Sequence, residues 1–114
     1  MLKVKRIYET ASSEDGKRIL VDRLWPRGIK KEKAEVGEWL KEIAPSDELR
    51  KWFAHDPSKW QAFKTKYAHE IGGKSDLLQR LRKESGKATV TLVYSAKDNE
   101  HNNAVALKEI IEQL

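Results

Sequence analysis

The stretch Ala88-Thr89-Val90-Thr91-Leu92-Val93-Tyr94-Ser95 constrains the fold more than any other part of the chain. It is rich in β-branched residues, which fit a pleated, half-buried surface better than a helix. A strand this late in the chain needs partners, and two earlier segments supply them. Leu2 to Tyr8 alternates apolar and basic residues as far as Arg6, then gives Ile7 and Tyr8, which reads as a strand with one solvated face. Ile19-Leu20-Val21 is a short unbroken apolar run, the pattern of a strand covered on both faces. Asp15-Gly16 marks a turn before it, Pro26 ends it for want of an N–H, and Gly28 permits a tight turn directly afterwards.

From Lys31 the period changes. Val36, Trp39, Leu40 and Ile43 recur at helical spacing and predict a first helix that Ala44-Pro45-Ser46 stops. Ser46 is a candidate N-cap for a second helix over Asp47 to Phe53. Asp56 and Pro57 open a third, lined by Trp60, Phe63, Tyr67 and Ile71 and ended by Gly72-Gly73. Ser75 caps a fourth, with Leu77, Leu78 and Leu81 inward and Gly86 beyond its end, and a last helix runs from Asn103 to Leu114. The order β-β-α-α-α-α-β-α implies an α/β fold: a small, at least partly parallel β-sheet with helices packed against it. At 114 residues the chain suits a single domain spanning 1–114.

Composition narrows the function classes. There is no cysteine, so disulfides, thiolate metal ligands and a thiol nucleophile are excluded. That fits a reducing cytoplasm. No window approaches the roughly 20 apolar residues of a membrane span, and the N-terminus lacks the apolar core of a secretory signal. The formal net charge of +5 favours anionic partners. Nucleic acid is one such partner, through Lys30, Lys31, Lys33, Lys64 and Lys66, although the lysines are scattered rather than gathered in one run.

The second predicted strand runs into Asp22-Arg23-Leu24-Trp25-Pro26-Arg27-Gly28. Strands of α/β sheets present ligand sites at their carboxyl ends. Guanidinium groups bind phosphate or carboxylate bidentately, so Arg23 and Arg27 suit an anion site, with Trp25 either stacking on a ring or filling the core. Arg50 either projects toward the same site or pairs with Asp47. The polar loop Lys97 to Asn102 follows the last strand and leads into a helix whose free amides attract anions, with Asn102 capping and Asn103 beside it. Tyr94 ends the strand before that loop. The ligand-binding candidates are thus Arg23, Trp25, Arg27, Arg50, Tyr94, Asn102 and Asn103. Asp22, His55 and Asp98 are the candidates for proton transfer, should there be a reaction. His69-Glu70 lacks the second histidine of a zinc-protease helix, His101 has no paired histidine, and no metal site is expected. No motif identifies a cofactor: phosphate-loop and nucleophile-elbow signatures are absent. The expected partner is a small phosphorylated or carboxylated ligand, a nucleotide being one form of it.

Arg6-Ile7-Tyr8, Val21 to Gly28, Ala44-Pro45-Ser46, Leu49 to Phe53, His55-Asp56-Pro57, Leu92-Val93-Tyr94 and Asn102-Asn103-Ala104 together resemble the YeaO-like family. This is one branch of the domain-of-unknown-function 488 group of bacteria and archaea, and the likeness covers nearly the whole chain. The resemblance implies a cytoplasmic α/β domain and supplies no established activity. The wider group often carries a Cys-His-Arg string in the region of Asn102-Asn103-Ala104, from which this chain departs. Methyltransferase labels attached to relatives find no glycine-rich cofactor loop here.

Overall fold

The computed structural model describes residues 1–114. Strands β1 (Leu2–Arg6), β2 (Lys17–Leu20), β3 (Glu38–Trp39) and β4 (Val90–Tyr94) form one sheet in the order β1-β4-β2-β3. Every neighbouring pair is parallel, so the sheet is parallel throughout. Arg6 lies opposite Tyr94, and Leu20 lies opposite Val93. Hydrogen bonds run one residue past the strand ends: Ile7 N donates to Tyr94 O at 2.7 Å and Val21 N to Val93 O at 3.1 Å. All five residues of β4 are buried, as expected of a strand flanked on both sides and covered on both faces.

Helices α1 (Lys31–Ala34), α2 (Asp47–Phe53), α3 (Trp60–Ile71), α4 (Ser75–Lys87) and α5 (Asn103–Glu112) complete the fold. Strand alternation sends side chains into two cores. Ile19, Val21, Leu92 and Tyr94 join the inward residues of α2, α3, α4 and α5 in the larger. Ile7, Leu20 and Val93 meet Ala34 in the smaller, with Trp25, Ile29, Val36 and Trp39 packed against it. No helix is long and apolar enough to cross a membrane.

Three expectations are corrected. Lys31 to Ile43 is not one helix: α1 ends at Ala34, capped by Glu35 at φ +51°, and is followed by β3 and a 3-10 turn over Lys41–Ile43. The helical spacing arose because Val36 and Trp39 serve the smaller core while Leu40 and Ile43 serve the larger. Ser75 is the first residue of α4 rather than its cap, and Gly86 lies inside that helix. Finally, β2 stops well before Pro26. The Asp22 side chain takes the Ser95 amide at 2.9 Å, so a carboxylate replaces the next rung of the ladder and the backbone is released into a loop.

One buried ion pair braces the sheet at the opposite side from that loop. Asp15 ends a Ser12-capped 3-10 turn over Ser13–Asp15, and its carboxylate meets Arg18 Nη1 at 2.7 Å and Lys5 Nζ at 3.1 Å. Arg18 also donates to the carbonyls of Glu35 and Ala34, so this arginine ties the end of α1 to β2. Gly16 makes the approach possible: its φ is +63°, and a Cβ there would lie 2.1 Å from Thr89 O.

Candidate functional site

The carboxyl ends of the parallel strands open into a hollow of about 490 Å³. Such an edge is where open α/β sheets hold ligands, and this volume is in the usual range for small-molecule sites, about 300 to 1,000 Å³. Arg6 arrives as the last residue of β1, Asp22 and Arg23 just after β2, Ser95 just after β4, and Asn102 and Asn103 at the start of α5. The loop from Asp22 to Arg27 forms one wall, and Arg50, Lys51 and His55, within and just beyond α2, contribute another. Phe53 and Phe63, stacked at 4.4 Å between centroids, belong to the larger core and close the hollow on its inner side.

The lining is strongly unbalanced in charge. Arg6, Arg23, Arg27, Arg50, Lys51 and Lys97 face a single carboxylate, that of Asp22. Asp22 is itself engaged by three donors: Oδ2 accepts from Ser95 N and from Ser95 Oγ at 2.7 Å, and Oδ1 accepts from Asn103 Nδ2 at 3.1 Å. Asn103 Nδ2 also donates to Val21 O, so Asp22 and Asn103 fasten the ends of β2 and β4 to the start of α5.

The arginines differ in how they are held. Arg23 donates Nε to Pro45 O at 3.2 Å and Nη2 to Ala44 O at 3.3 Å. Arg6 donates Nε to Ala96 O at 2.9 Å, and its guanidinium lies 4.4 Å from the Tyr8 ring centroid. Neither has a carboxylate partner. Carbonyl tethers fix a guanidinium without neutralising it, leaving Nη groups available to an anion. Arg27 is exposed and its side chain forms no hydrogen bond, while its carbonyl accepts from Tyr8 Oη at 2.8 Å. Arg50 pairs with Asp47 at 2.8 Å, the structural alternative for that residue, although it still lines the hollow.

Trp25 donates Nε1 to Ile29 O at 2.7 Å and sits edge-on to Trp39, so the indole both staples its loop and touches the hollow. Asn102 is buried, accepts from Val105 N at 3.0 Å and donates to Asp98 O, the geometry of a helix cap. His55 lines the rim at φ +56°, exposed and without a hydrogen-bond partner to orient its ring. Tyr94 and Asp98 are not among the lining residues. The Tyr94 hydroxyl is turned to Asn99 Oδ1, and burial pushes its pKa up. Asp98 organises the loop instead: the Glu100 amide, the His101 side chain and the His101 amide hold its carboxyl below the usual value of 3.8. Through that contact it fixes His101, which does line the hollow and lies edge-on to Trp60.

Sequence reasoning missed Arg6, Tyr8, Ser95 and His101 as lining residues. Arg6 and Ser95 both lie near the carboxyl ends of expected strands, but which strands are neighbours, and so that the two meet, is fixed only by the pairing of β1 with β4.

Among relatives, the protein YeaO of Escherichia coli, named as uncharacterised, is 42% identical over 113 residues, covering 99% of this chain and 98% of its own. Rv3073c of Mycobacterium tuberculosis, also named as uncharacterised, is 39% identical over 110 residues, 96% of this chain and 92% of its own. No solved structure matches. The family described as the inactive DUF488-N3 subclade matches residues 1–114. With that match spanning the chain, and YeaO aligned along almost its whole length, this protein belongs to the YeaO-like family of the domain-of-unknown-function 488 group.

Proposed function

We propose that the hollow holds a small phosphorylated or carboxylated ligand, nucleotides being one such class, and that it does so without chemistry. The observation that carries this reading is a trio of guanidinium groups, Arg6, Arg23 and Arg27, that line one hollow and have no carboxylate partner. Half-buried arginines are ordinarily paired, and a structure that leaves two of them, Arg6 and Arg23, to carbonyls alone, with the exposed Arg27 beside them, favours an anion in their midst. The amino end of α5 adds its partial positive charge through the same wall.

Absence of turnover has its own support. Asp22 is occupied by three donors and His55 has no hydrogen-bond partner, so neither is poised as a general base. The chain carries no thiol, and the matched subclade is described as inactive. The nucleic-acid reading has less support. Lys30, Lys31 and Lys33 accompany the smaller core, whereas Lys64 and Lys66 are carried by α3 in the larger, and Lys64 is paired with Glu109. They do not make one stripe.

The test is calorimetric titration of the purified protein with inorganic phosphate, adenosine monophosphate and acetate, and with a short DNA duplex at two salt concentrations. Saturable binding of a small anion, lost in Arg23→Ala, is expected. Binding confined to the duplex, and steeply weakened by salt, would transfer the function to the nucleic-acid reading.

A further inference from the structure

Arg6 and Tyr8 fall outside the loop from Asp22 to Arg27, yet Tyr8 reaches the main chain of its second arginine, Arg27. The Tyr8 ring carries the Arg6 guanidinium at 4.4 Å, and the Tyr8 hydroxyl donates to the Arg27 carbonyl at 2.8 Å. One aromatic residue therefore holds the Arg6 guanidinium at the end of β1 and the main chain that carries Arg27 in the loop after β2. Arg6 is anchored a second time through Nε to the carbonyls of Ala96 and Ser95, beyond β4. Arg23 is anchored from the other side through Pro45 and Ala44. We propose that Arg6, Arg23 and Arg27, which line one hollow, form a three-guanidinium clamp in which the Tyr8 ring positions Arg6, and that its ligand is a phosphate monoester rather than a carboxylate.

The chemistry of the donors decides between the two anions. After their tethers are counted, Arg6 keeps both Nη groups, Arg23 keeps Nη1, and Arg27 keeps its whole fork. A carboxylate offers two oxygens and one charge, which a single guanidinium satisfies in bidentate fashion. A phosphate monoester offers three terminal oxygens and a charge of about −1.5 to −2 at neutral pH, enough to engage three cations. Arg50 is not needed, because Asp47 already neutralises it. Tyr8 is a positioning residue: its ring is the platform for Arg6 and need not touch the ligand.

This inference rests on the anion reading above, and the experiment separates the two. Phenyl phosphate and benzoate, which share an aromatic body and differ in the anion, are titrated into the wild type and into Arg6→Ala, Arg6→Lys, Arg23→Ala, Tyr8→Phe and Tyr8→Leu. Thermal melts run in parallel. Phenyl phosphate should bind the wild type at least tenfold more tightly than benzoate. Arg6→Ala should weaken it by about ten- to a hundredfold, the value of a charge-assisted hydrogen bond, and Arg6→Lys should restore only part of that. Tyr8→Leu should weaken binding by about two- to fivefold, with Tyr8→Phe recovering most of the loss because the ring remains. Tyr8 is exposed, so both of its variants should fold.

If phenyl phosphate and benzoate bind equally, or if Arg23→Ala abolishes binding while Arg6→Ala, Arg6→Lys and Tyr8→Leu all match the wild type, the clamp is refuted and the anion site stands. If the wild type binds neither compound, the clamp and the anion reading fall together. Should Arg6→Ala melt below the working temperature, the affinities of Arg6→Lys and Tyr8→Leu decide in its place.

Discussion

Asp22 accepts both the amide and the hydroxyl of Ser95, so one carboxylate bolts the end of β2 to the end of β4 where their backbones part. The same carboxylate receives Asn103, which brings α5 into the joint. Replacing Asp22 by Ala removes the acceptor for three donors, one of them a main-chain N–H. The expected cost is about 2 to 3 kcal/mol, read from urea unfolding midpoints at constant slope. A loss below about 0.5 kcal/mol would mean that solvent satisfies those donors equally well.

Arg23 and Arg27 should separate stability from binding. Arg27 is exposed and its side chain forms no hydrogen bond, so Arg27→Ala should leave unfolding within about 0.5 kcal/mol of the wild type. Arg23→Ala should cost about 1 to 2 kcal/mol, since the carbonyls of Pro45 and Ala44 lose their donor. Both should weaken phosphate binding by calorimetry. Equal and large destabilisation of both variants would make the pair structural.

The buried pair Asp15 and Arg18 gives a third expectation. Asp15→Ala leaves Arg18 charged and only 5% exposed, a loss of about 3 to 5 kcal/mol by chemical denaturation. The wild type should also show the corresponding pH dependence. Burial alone would raise the Asp15 pKa, but the Ser12 amide, Lys5 and Arg18 together outweigh it and hold the group below 3.8. For Glu38, hydrogen bonds and charge from Arg80 and Lys17 likewise outweigh burial. Groups depressed in the folded state bind more protons when unfolded, so their contribution is complete above the ordinary carboxylate values and is lost as pH falls through the folded ones. Unfolding midpoints measured from roughly pH 6 down to pH 2 should fall steeply only below about pH 4. Asp15→Asn should start lower and fall less steeply.

Gly16→Ala should be among the most damaging small substitutions. The backbone sits at φ +63°, and the added methyl would meet the Thr89 carbonyl at 2.1 Å. Strain and clash together should cost about 3 kcal/mol or more, seen as a lowered melting temperature. Gly28→Ala, also at positive φ but with nothing within 4 Å, should cost only about 1 kcal/mol, which isolates the clash from the backbone effect.

Local signals carried most of the architecture. The β-branched run at Val90 to Tyr94 was unambiguous, and Ser46 with the apolar positions Leu49 and Phe53 located α2 at its observed bounds. Periodicity failed between Lys31 and Ile43 because it assumes one buried face, and there the chain crosses from one side of the sheet to the other. Val36 and Leu40 serve different cores, which no spacing rule can express. In the hollow, the arginines after β2 were readable as chemistry attached to a strand end. Their company was not: Arg6 looked like one more solvated basic residue, and only the pairing of β1 with β4 brings it across. Likewise, nothing in Asp15-Gly16 beyond its turn signal revealed the salt bridge that Asp15 makes with Arg18.

The strand order has a consequence for how the chain comes together during synthesis. β1 and β2 are not neighbours; each rests against β4, the last strand to be made, and otherwise β2 has only the two residues of β3. A nascent chain emerging from the ribosome therefore holds its first strand unpaired until residues 90–94 are available, while the intervening helices already offer apolar surface. Assembly of the sheet is a late event with long-range closure, of the kind that proceeds slowly and leaves unfinished chains open to association with one another.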